Sequence, residues 1–437
     1  MKKLLFNWKE LTATFWFVPV IIIILSILLS IGLVTLDGYY ESPQDGLARF
    51  FFVKSADSAR SILSTIAAAM MGVAGTVFSI TLVALTLASS QFGPRLIKNF
   101  MYVRLNQVVL GSYISTYLYC LLVLNAVREG NDYTFIPSIS ILVAIVAAIV
   151  NIVLLIVFIH QIAVSIQADN VISDISDFLS KQVKSLFPEK IGEEKEDIEG
   201  DLNPATVLSR YPNQITIKSP KNGYLQYVDS ESLMEQITKK DALFELYFRP
   251  GAHLVEGVNM GVLYTTGNWE EKEIKKVIGH FVIDKSKTPQ QDLEYSIDQM
   301  VEIASRALSP GINDPYTAMA CVDNLTSCMC YLARIDFPSN YRFDKKNTLR
   351  LIVDTVDFES VLDAAFNQIR QFSGGSPAVI IRLMEALITI YGFATKDGYK
   401  QALLKHAEMV LRVGNETMSE KNDLNDLKVR AEKLLKN

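Results

Sequence analysis

One apolar stretch that is rich in small and hydroxyl residues, residues 61–104, constrains the fold more than any other feature. Its first half, to about Ala88, can cross a bilayer, because a spanning helix takes roughly 20 mostly apolar residues. The apolar part ends at Gly93, Pro94 and Arg95, residues that stop a helix and return the chain to water. The sequence therefore predicts a membrane helix here.

Small and hydroxyl residues recur along this helix at steps of three, four or seven, which places them on one helical face. They are Thr65, Gly72, Thr76, Ser79, Thr86 and Ser90. Because this helix is the second apolar segment of the chain, we call it α2 and these residues the α2 stripe. The α2 stripe is either a seam buried between helices, which small residues favour, or the lining of a pore, where hydroxyls replace water around a solute. Between Ser61 and Gln91 the sequence has no Asp, Glu, Lys or Arg, which argues against a proton-coupled pump.

The composition indicates a membrane part joined to a soluble part. Half of the 437 residues are apolar, yet 20% are charged, and the net charge of −5 gives no indication of a nucleic-acid partner. Four cysteines lack the spacing of zinc ligands, so we expect free thiols, no metal site and no cofactor. They are Cys120, Cys321, Cys328 and Cys330.

The hydropathy pattern predicts a transmembrane domain at 1–160 with four helices, at about 15–36, 61–88, 108–127 and 136–159. Basic residues are concentrated in the N-terminal tail and in the loop after the second helix. They are Lys2, Lys3 and Lys9 in the tail, and Arg95, Lys98 and Arg104 in the loop. By the positive-inside rule, this predicts a multi-pass protein with both termini cytoplasmic, and Arg95, Lys98 and Arg104 at the cytoplasmic mouth of the second helix.

The soluble part begins with a helical stalk at 161–187 and an acidic linker at 188–206. Alternating apolar residues and frequent glycines predict a β-module at 207–286, with a short helix at Ser230–Thr238. This order of turns and strands resembles the barrel-sandwich hybrid of biotinyl and lipoyl domains. The hairpin with an acceptor lysine is missing, so we expect a small β-barrel or sandwich-like module and not a carrier.

Residues 287–437 are predicted to form a helical cytoplasmic domain. Thr288, Pro289 and Gln291 predict the start of its first helix, and Asp314 with Pro315 predicts the start of the next. Later helices are predicted at 349–372, 377–393, 400–413 and 418–435.

The turn between the first two of these helices is dense in polar and backbone-directing residues. Its candidate site residues are Arg306, Ser309, Asn313, Asp314 and Thr317. They either form a tight corner between helices or converge on a small anion or nucleotide near the exposed amides of the second helix. The sequence has no GxxxxGK[ST], HExxH or GxSxG motif, so we expect no conventional enzyme and assign no catalytic residue.

Two long motifs, VFSITLVALTLASSQFGPRL and ALSPGINDPYTA, occur in this order on either side of the segment GYLQYVD. Together they resemble the signatures of DUF2254, a family of predicted bacterial membrane proteins without assigned function. The resemblance covers nearly the whole chain and implies an architecture and a bacterial inner-membrane location. It implies no activity.

The sequence thus predicts an α-helical membrane protein with four transmembrane helices and a cytoplasmic α+β domain. The function expected is a homo-oligomeric ion channel or channel-like transporter with a cytoplasmic regulatory domain. Its expected partners are the lipid bilayer, further copies of itself and a small ion, in particular an anion. The alternative is a non-conducting scaffold or signalling protein whose cytoplasmic domain binds a ligand or partner.

Overall fold

The computed structural model describes residues 12, 14–39, 53, 55–93, 104–129, 134–186 and 204–436. The chain divides into two units, the first ending at Asn170 and the second beginning at Val171. Among the described residues of the first unit, four helices are long and apolar enough to cross a membrane, which confirms the four predicted helices as candidate spans. They are α1 (Phe17–Asp37), α2 (Ala56–Phe92), α3 (Arg104–Ala126) and α4 (Ser138–Ser165), with the short strands β1 (Arg128–Glu129) and β2 (Thr134–Phe135) between α3 and α4.

The first turn of α4 is held by a carboxylate from the end of α1. The Asp37 oxygens accept hydrogen bonds from the backbone amides of Ile139 (2.9 Å) and Ser140 (3.0 Å) and from the Ser140 hydroxyl (2.6 Å). These amides have no partner within the helix, and a negative charge favours a helix N-terminus. Asp37 therefore ties the end of α1 to the start of α4.

A polar contact also joins α3 and α4 in the middle of the bundle. The fully buried Asn151 side chain donates a hydrogen bond to the Thr116 hydroxyl at 2.8 Å, and the Tyr113 hydroxyl donates to the Asn151 carbonyl at 2.6 Å. Asn151 on α4 is thus bonded to α3 through both its side chain and its backbone. Near Gly111, α1 and α3 approach so closely that a Cβ there would lie 2.9 Å from the Pro19 Cα atom.

In the second unit, two sheets form the β-region. The strands are β3 (Asn213–Lys218), β4 (Gly223–Val228), β5 (Leu243–Leu246), β6 (His253–Leu254), β7 (Asn259–Thr265), β8 (Phe281–Asp284), β9 (Tyr341–Phe343) and β10 (Leu349–Val353). One sheet has the order β3-β7-β5-β10-β9, and the other has the order β6-β4-β8. All pairings in these two sheets are antiparallel except that of β5 with β10, which is parallel. Their core includes Phe244, Leu263 and Leu351.

Ten α-helices follow α4 in the described part of the chain. They are α5 (Ala168–Leu186), α6 (Pro204–Leu208), α7 (Ser230–Lys239), α8 (Glu271–Gly279), α9 (Leu293–Ala307), α10 (Pro315–Leu332), α11 (Phe358–Phe372), α12 (Pro377–Tyr391), α13 (Asp397–Thr417) and α14 (Lys421–Leu435). The predicted short helix in the β-module is α7, and α10 starts at Pro315 with Asp314 as its cap, as predicted.

Two predicted helix starts are wrong. Residues 349–353 form the strand β10, and the following helix begins only at Phe358. The first helix of the domain begins at Leu293 with Asp292 as its cap, not at Pro289. Gln291 is not part of this helix because its side-chain amide bonds both backbone groups of Val228, accepting from N at 2.9 Å and donating to O at 3.2 Å.

Strands β9 and β10 lie outside the range 207–286 predicted for the β-module, yet they complete its larger sheet. A buried ion pair fixes them there. The Arg350 guanidinium donates to the buried Asp344 carboxylate at 2.8 Å and to Asp241, next to β5, at 2.7 Å. The turn before β10 is thereby joined to a segment more than a hundred residues earlier in the chain.

Candidate functional site

The α2 stripe lies on the outer surface of the first unit. Thr65, Gly72, Thr76, Ser79, Thr86 and Ser90 are all exposed. The residues that pack α2 against the rest of its unit are another set, Ala59, Leu63, Ala67, Met70, Ala74, Val77, Thr81, Ala84 and Ala88. At 3.6 residues per turn, these two sets occupy opposite sides of the helix. The seam within the chain is therefore formed by the alanine-rich face, and the α2 stripe points away from it.

Each hydroxyl of the α2 stripe donates its proton to a backbone carbonyl of its own helix. The bonds run from Thr65 to Ser61 (2.7 Å), Thr76 to Gly72 (3.3 Å), Ser79 to Gly75 (2.9 Å), Thr86 to Leu82 (2.9 Å) and Ser90 to Leu87 (2.9 Å). This satisfies the donors without a second helix. The oxygen lone pairs can still accept hydrogen bonds from water or from another chain.

The glycines of α2 are not required by packing inside the chain. A Cβ built at Gly72 or Gly75 would meet no atom of the described residues within 4 Å, whereas the same atom at Gly111 would clash with Pro19. Glycine in a helix interior costs roughly 1 kcal/mol relative to alanine. Gly72 and Gly75 therefore weaken α2 without serving a contact in this part of the molecule.

The other outward surfaces of the first unit have a different chemistry. α1 exposes Ile24, Leu25, Leu28 and Ile31, and α4 exposes Ile149, Ile152, Val153 and Ile156, each by about half its area or more. Bulky aliphatic side chains are what a helix presents to lipid tails, while small residues mark helix–helix contacts. The first unit thus has aliphatic surfaces on α1 and α4, whereas the exposed surface of α2 combines the small and hydroxyl residues of the stripe with bulky apolar residues, namely Met71, Phe78, Leu82, Val83 and Leu87.

Of the predicted cytoplasmic mouth, the structure describes one residue. Arg104 is the first residue of α3 and is exposed. Arg95 and Lys98 lie outside the described residues.

The corner at residues 306–317 uses most of its polar groups internally. The Asp314 carboxylate caps α10 by accepting from the Thr317 amide (3.1 Å) and hydroxyl (2.6 Å), and the Ser309 hydroxyl donates to the Arg306 carbonyl (2.6 Å). The Ser309 carbonyl in turn accepts from the amide of Asn313, which adopts a left-handed conformation with φ of 51°. The structure brings the five residues together, in the arrangement expected of a tight turn between helices.

Within the described residues, no group of three or more His, Cys, Asp or Glu side chains is arranged to hold a metal ion. The four cysteines are buried and free. Burial raises the pKa of the Cys328 thiol to about 12 and also raises that of Cys321, which keeps both protonated and unreactive.

A cleft in the second unit is a further candidate that the sequence did not reveal. We call it the β5–β10 cleft, and its lining includes Met234, Phe248, Arg249, Lys345 and Val353. It was missed because β10 was assigned to a helix. The sequence signal for a turn at this point is the pair of turn-favouring residues Asp344 and Asn347. In the structure, Asn347 has a φ of 57° and the Asp344 carboxylate accepts from the Thr348 amide at 3.0 Å. This signal marks the turn but does not reveal the pairing of β10 with β5.

Comparison with known proteins finds similarity to predicted membrane proteins. The family model DUF2254, described as a predicted membrane protein, matches residues 12–389. An uncharacterized protein of Mycobacterium bovis and one of Mycobacterium tuberculosis are each 28% identical over 380 residues, covering 86% of this chain and 72% of the relative. No solved structure matches the chain.

Proposed function

The chain belongs to the DUF2254 family of predicted membrane proteins, and from that starting point we propose that it is a homo-oligomeric channel. In this proposal the α2 stripes of several copies face one another around a water-filled path. The second unit acts as the regulatory domain. The protein resides in the bacterial inner membrane, with both termini in the cytoplasm.

The observation that carries the proposal is the contrast between the α2 stripe and the surfaces of α1 and α4. The stripe is exposed and small, its hydroxyl oxygens can accept hydrogen bonds, and the two α2 glycines have no neighbour among the described residues that requires them. Against lipid, such a face has no advantage over the aliphatic residues that α1 and α4 expose. Against water or another copy of the chain, hydroxyl oxygens replace hydration and small side chains leave room.

The proposed orientation rests on the basic residues of the N-terminal tail and of the loop after α2. Four spans would return the chain to the side on which it began, and we therefore propose a cytoplasmic location for the second unit. In the proposed oligomer, each copy contributes Arg95, Lys98 and Arg104 to a basic ring. This ring favours a small anion at the inner end of the path. The composition gives no reason to include nucleic acid among the partners.

The second candidate is a non-conducting scaffold or signalling protein in which the α2 stripes pack directly on one another. The spacing Ala68-xxx-Gly72-xxx-Thr76 favours it, because small residues four apart let two membrane helices approach closely. All three of these residues are exposed. The two candidates share an oligomer centred on α2 and differ in whether water passes through it.

Substitution of Ser79 by leucine distinguishes the two candidates when the oligomeric state and the conductance are measured on the same preparation. In a pore, Ser79→Leu removes a hydroxyl and narrows the path, so the conductance in a planar bilayer falls while the oligomer in lipid nanodiscs persists. In a packed seam, the added volume costs roughly 1–3 kcal/mol and dissociates the oligomer.

The matched control is Ser64→Leu, which makes the same change at an exposed hydroxyl of α2 that lies off the stripe. This variant should conduct and assemble like the wild type. A wild-type protein that is monomeric in nanodiscs would refute both candidates.

A further inference from the structure

A groove lies beside the ends of α1 and α3. These two helices run in the same direction, since Gly111 approaches Pro19 near their starts and, further along both, the Ser26 hydroxyl donates to the Ser115 carbonyl at 2.9 Å. Because both helices are candidate membrane spans, their ends lie at one boundary of the apolar part of the first unit. We call this site the α1–α3 groove, and its lining includes Val34, Thr35, Tyr39, Ala126, Arg128 and Phe135.

The size and walls of the groove suit a molecule that is part polar and part apolar. Its volume is about 480 Å³, within the roughly 300–1,000 Å³ of typical ligand sites. Val34, Ala126 and Phe135 are half-buried and form an apolar wall. Tyr39 is 89% exposed, and aromatic rings with a polar tip are enriched where a membrane meets water. The groove therefore has the chemistry of a membrane–water interface.

The charge in this groove comes from an arginine whose side chain is available. Among the described residues that line the groove, Arg128 is the only charged one. Its exposed side chain forms no ion pair or hydrogen bond with another described residue. The carboxylates that neighbour groove residues in sequence already have partners, since Glu129 lies 3.5 Å from Arg60 and Asp37 accepts three hydrogen bonds from the start of α4. The Arg128 guanidinium can therefore pair with an anionic group.

The backbone that carries Arg128 is held by the short hairpin of β1 and β2. Arg128 pairs with Phe135 across the hairpin, and the preceding residue, Val127, is buried. A cation on a fixed backbone binds an anion with a smaller loss of conformational entropy than one on a mobile loop. The planar guanidinium also matches the oxygens of a phosphate through two parallel hydrogen bonds. Arg128 thus suits a phosphate group at the boundary of the apolar region.

The groove continues into the aliphatic surface of the bundle. Ile24, Ile31 and Gly38 follow one another at steps of seven, so they lie on one side of α1, and Gly38 lines the groove. On α3, Leu122 lies one helical turn before Ala126. Ile24, Ile31 and Leu122 are exposed, as residues in contact with lipid tails are. A molecule with its polar part in the groove can therefore extend apolar chains along α1 and α3.

We propose that the α1–α3 groove binds a phospholipid. Its phosphate pairs with Arg128, its glycerol backbone lies against Val34 and Phe135, and its acyl chains follow Ile31 and Leu122. A phospholipid combines the required anion with apolar chains that extend from it in one direction. An uncharged lipid lacks the partner of Arg128, and a soluble phosphate ester lacks the chains. The proposal concerns binding alone, and it holds whether or not α2 lines a pore.

Native mass spectrometry of the full chain in detergent tests the proposal through the affinity for the first lipid that binds. The probes are phosphatidylglycerol, diacylglycerol with the same acyl chains, and soluble glycerol 3-phosphate. Phosphatidylglycerol should bind at least about tenfold more tightly than diacylglycerol, which corresponds to about 1.4 kcal/mol. Arg128→Met keeps the length of the side chain and removes the charge, so the two lipids should then bind within about threefold of each other. Glycerol 3-phosphate at about 1 mM should not displace phosphatidylglycerol, because it buries no apolar chain.

The matched control is Arg60→Met, the same change at another exposed arginine that is paired with Glu129 and is not among the residues lining the groove. It should leave the preference for phosphatidylglycerol within about twofold of the wild type. Equal affinity of the wild type for the two lipids would overturn the proposal, as would an equal loss in the two arginine variants. Displacement of the lipid by glycerol 3-phosphate would also overturn it, because the ligand would then be a free phosphate ester. An unchanged thermal midpoint confirms that each variant is folded.

Discussion

The substitution Asp292→Asn should make the stability of the second unit less sensitive to pH. Asp292 caps α9 and is 5% exposed. Its Oδ1 accepts from the Tyr295 amide at 3.1 Å, while Oδ2 is buried with no hydrogen-bond partner among the described residues and lies against Gly251. Burial therefore raises the pKa of the Asp292 carboxyl from its ordinary 3.8 to about 6, against the opposing attraction of Lys287.

The size of the effect follows from the difference in pKa between the folded and the unfolded chain. Between about pH 4 and pH 6, the unfolded chain releases this proton and the folded chain keeps it, so the wild type becomes less stable as the pH rises through this range. A pKa difference of about two units corresponds to at most about 3 kcal/mol. Asparagine caps a helix about as well as aspartate and does not titrate, so the variant does not lose this stability as the pH rises.

Thermal unfolding of the full chain in nanodiscs at pH 4.5 and at pH 7.5 measures the effect. Intrinsic fluorescence reports on the second unit through Trp269, whose indole donates to the Thr265 hydroxyl at 3.0 Å. About 2 kcal/mol of this loss falls between pH 4.5 and pH 7.5, and 1 kcal/mol shifts the midpoint of a domain of this size by roughly 2–4 °C. The midpoint of Asp292→Asn relative to the wild type should therefore rise between the two pH values by about 4–8 °C. A difference that stays constant with pH, or falls, would refute the reasoning.

Three further substitutions test the packing, and thermal unfolding in nanodiscs measures each of them. Gly111→Ala should lower the midpoint of the first unit by an amount equivalent to roughly 1–3 kcal/mol, because the new Cβ meets Pro19 Cα at 2.9 Å. Asp37→Ala leaves the amides of the first turn of α4 without their acceptor and should cost about 1–3 kcal/mol. Arg350→Met removes the partner of the buried Asp344 and should cost about 3–5 kcal/mol in the second unit. A midpoint within 1 °C of the wild type would contradict the packing reasoning for the substitution concerned.

The periodicity of α2 identified which residues share a face, but not what that face contacts. The face at Thr65 and Ser79 and the opposite face at Ala67 and Ala74 both consist of small residues, and both could line a seam between helices. Only the positions of α3 and α4 show that the alanine-rich face is used within the chain and that the α2 stripe is exposed. Asn151 was predictable because a polar side chain amid aliphatic residues requires a partner.

The β5–β10 cleft could not be predicted because it depends on a pairing across more than a hundred residues. The run at Leu349–Val353 is short and apolar, a pattern that fits a buried strand and a helix equally well. Its parallel pairing with Leu243–Leu246 makes it a strand, and the local sequence does not encode that pairing. The predicted helix start at Pro289 is wrong because Gln291 bonds instead to the backbone of Val228, a tertiary contact that the local sequence does not encode.

The central claim, that α2 lines a conducting path, is tested most directly with the variant Ser79→Cys of the full chain in a planar bilayer. The current is measured before and after a water-soluble methanethiosulfonate reagent is added. The buried native cysteines give little background reaction. The matched control, Ile152→Cys, places a thiol on the exposed aliphatic face of α4. If α2 lines the path, the reagent reduces the current of Ser79→Cys and leaves that of Ile152→Cys unchanged. No current from the wild type, or a Ser79→Cys current that the reagent does not alter, would contradict the account.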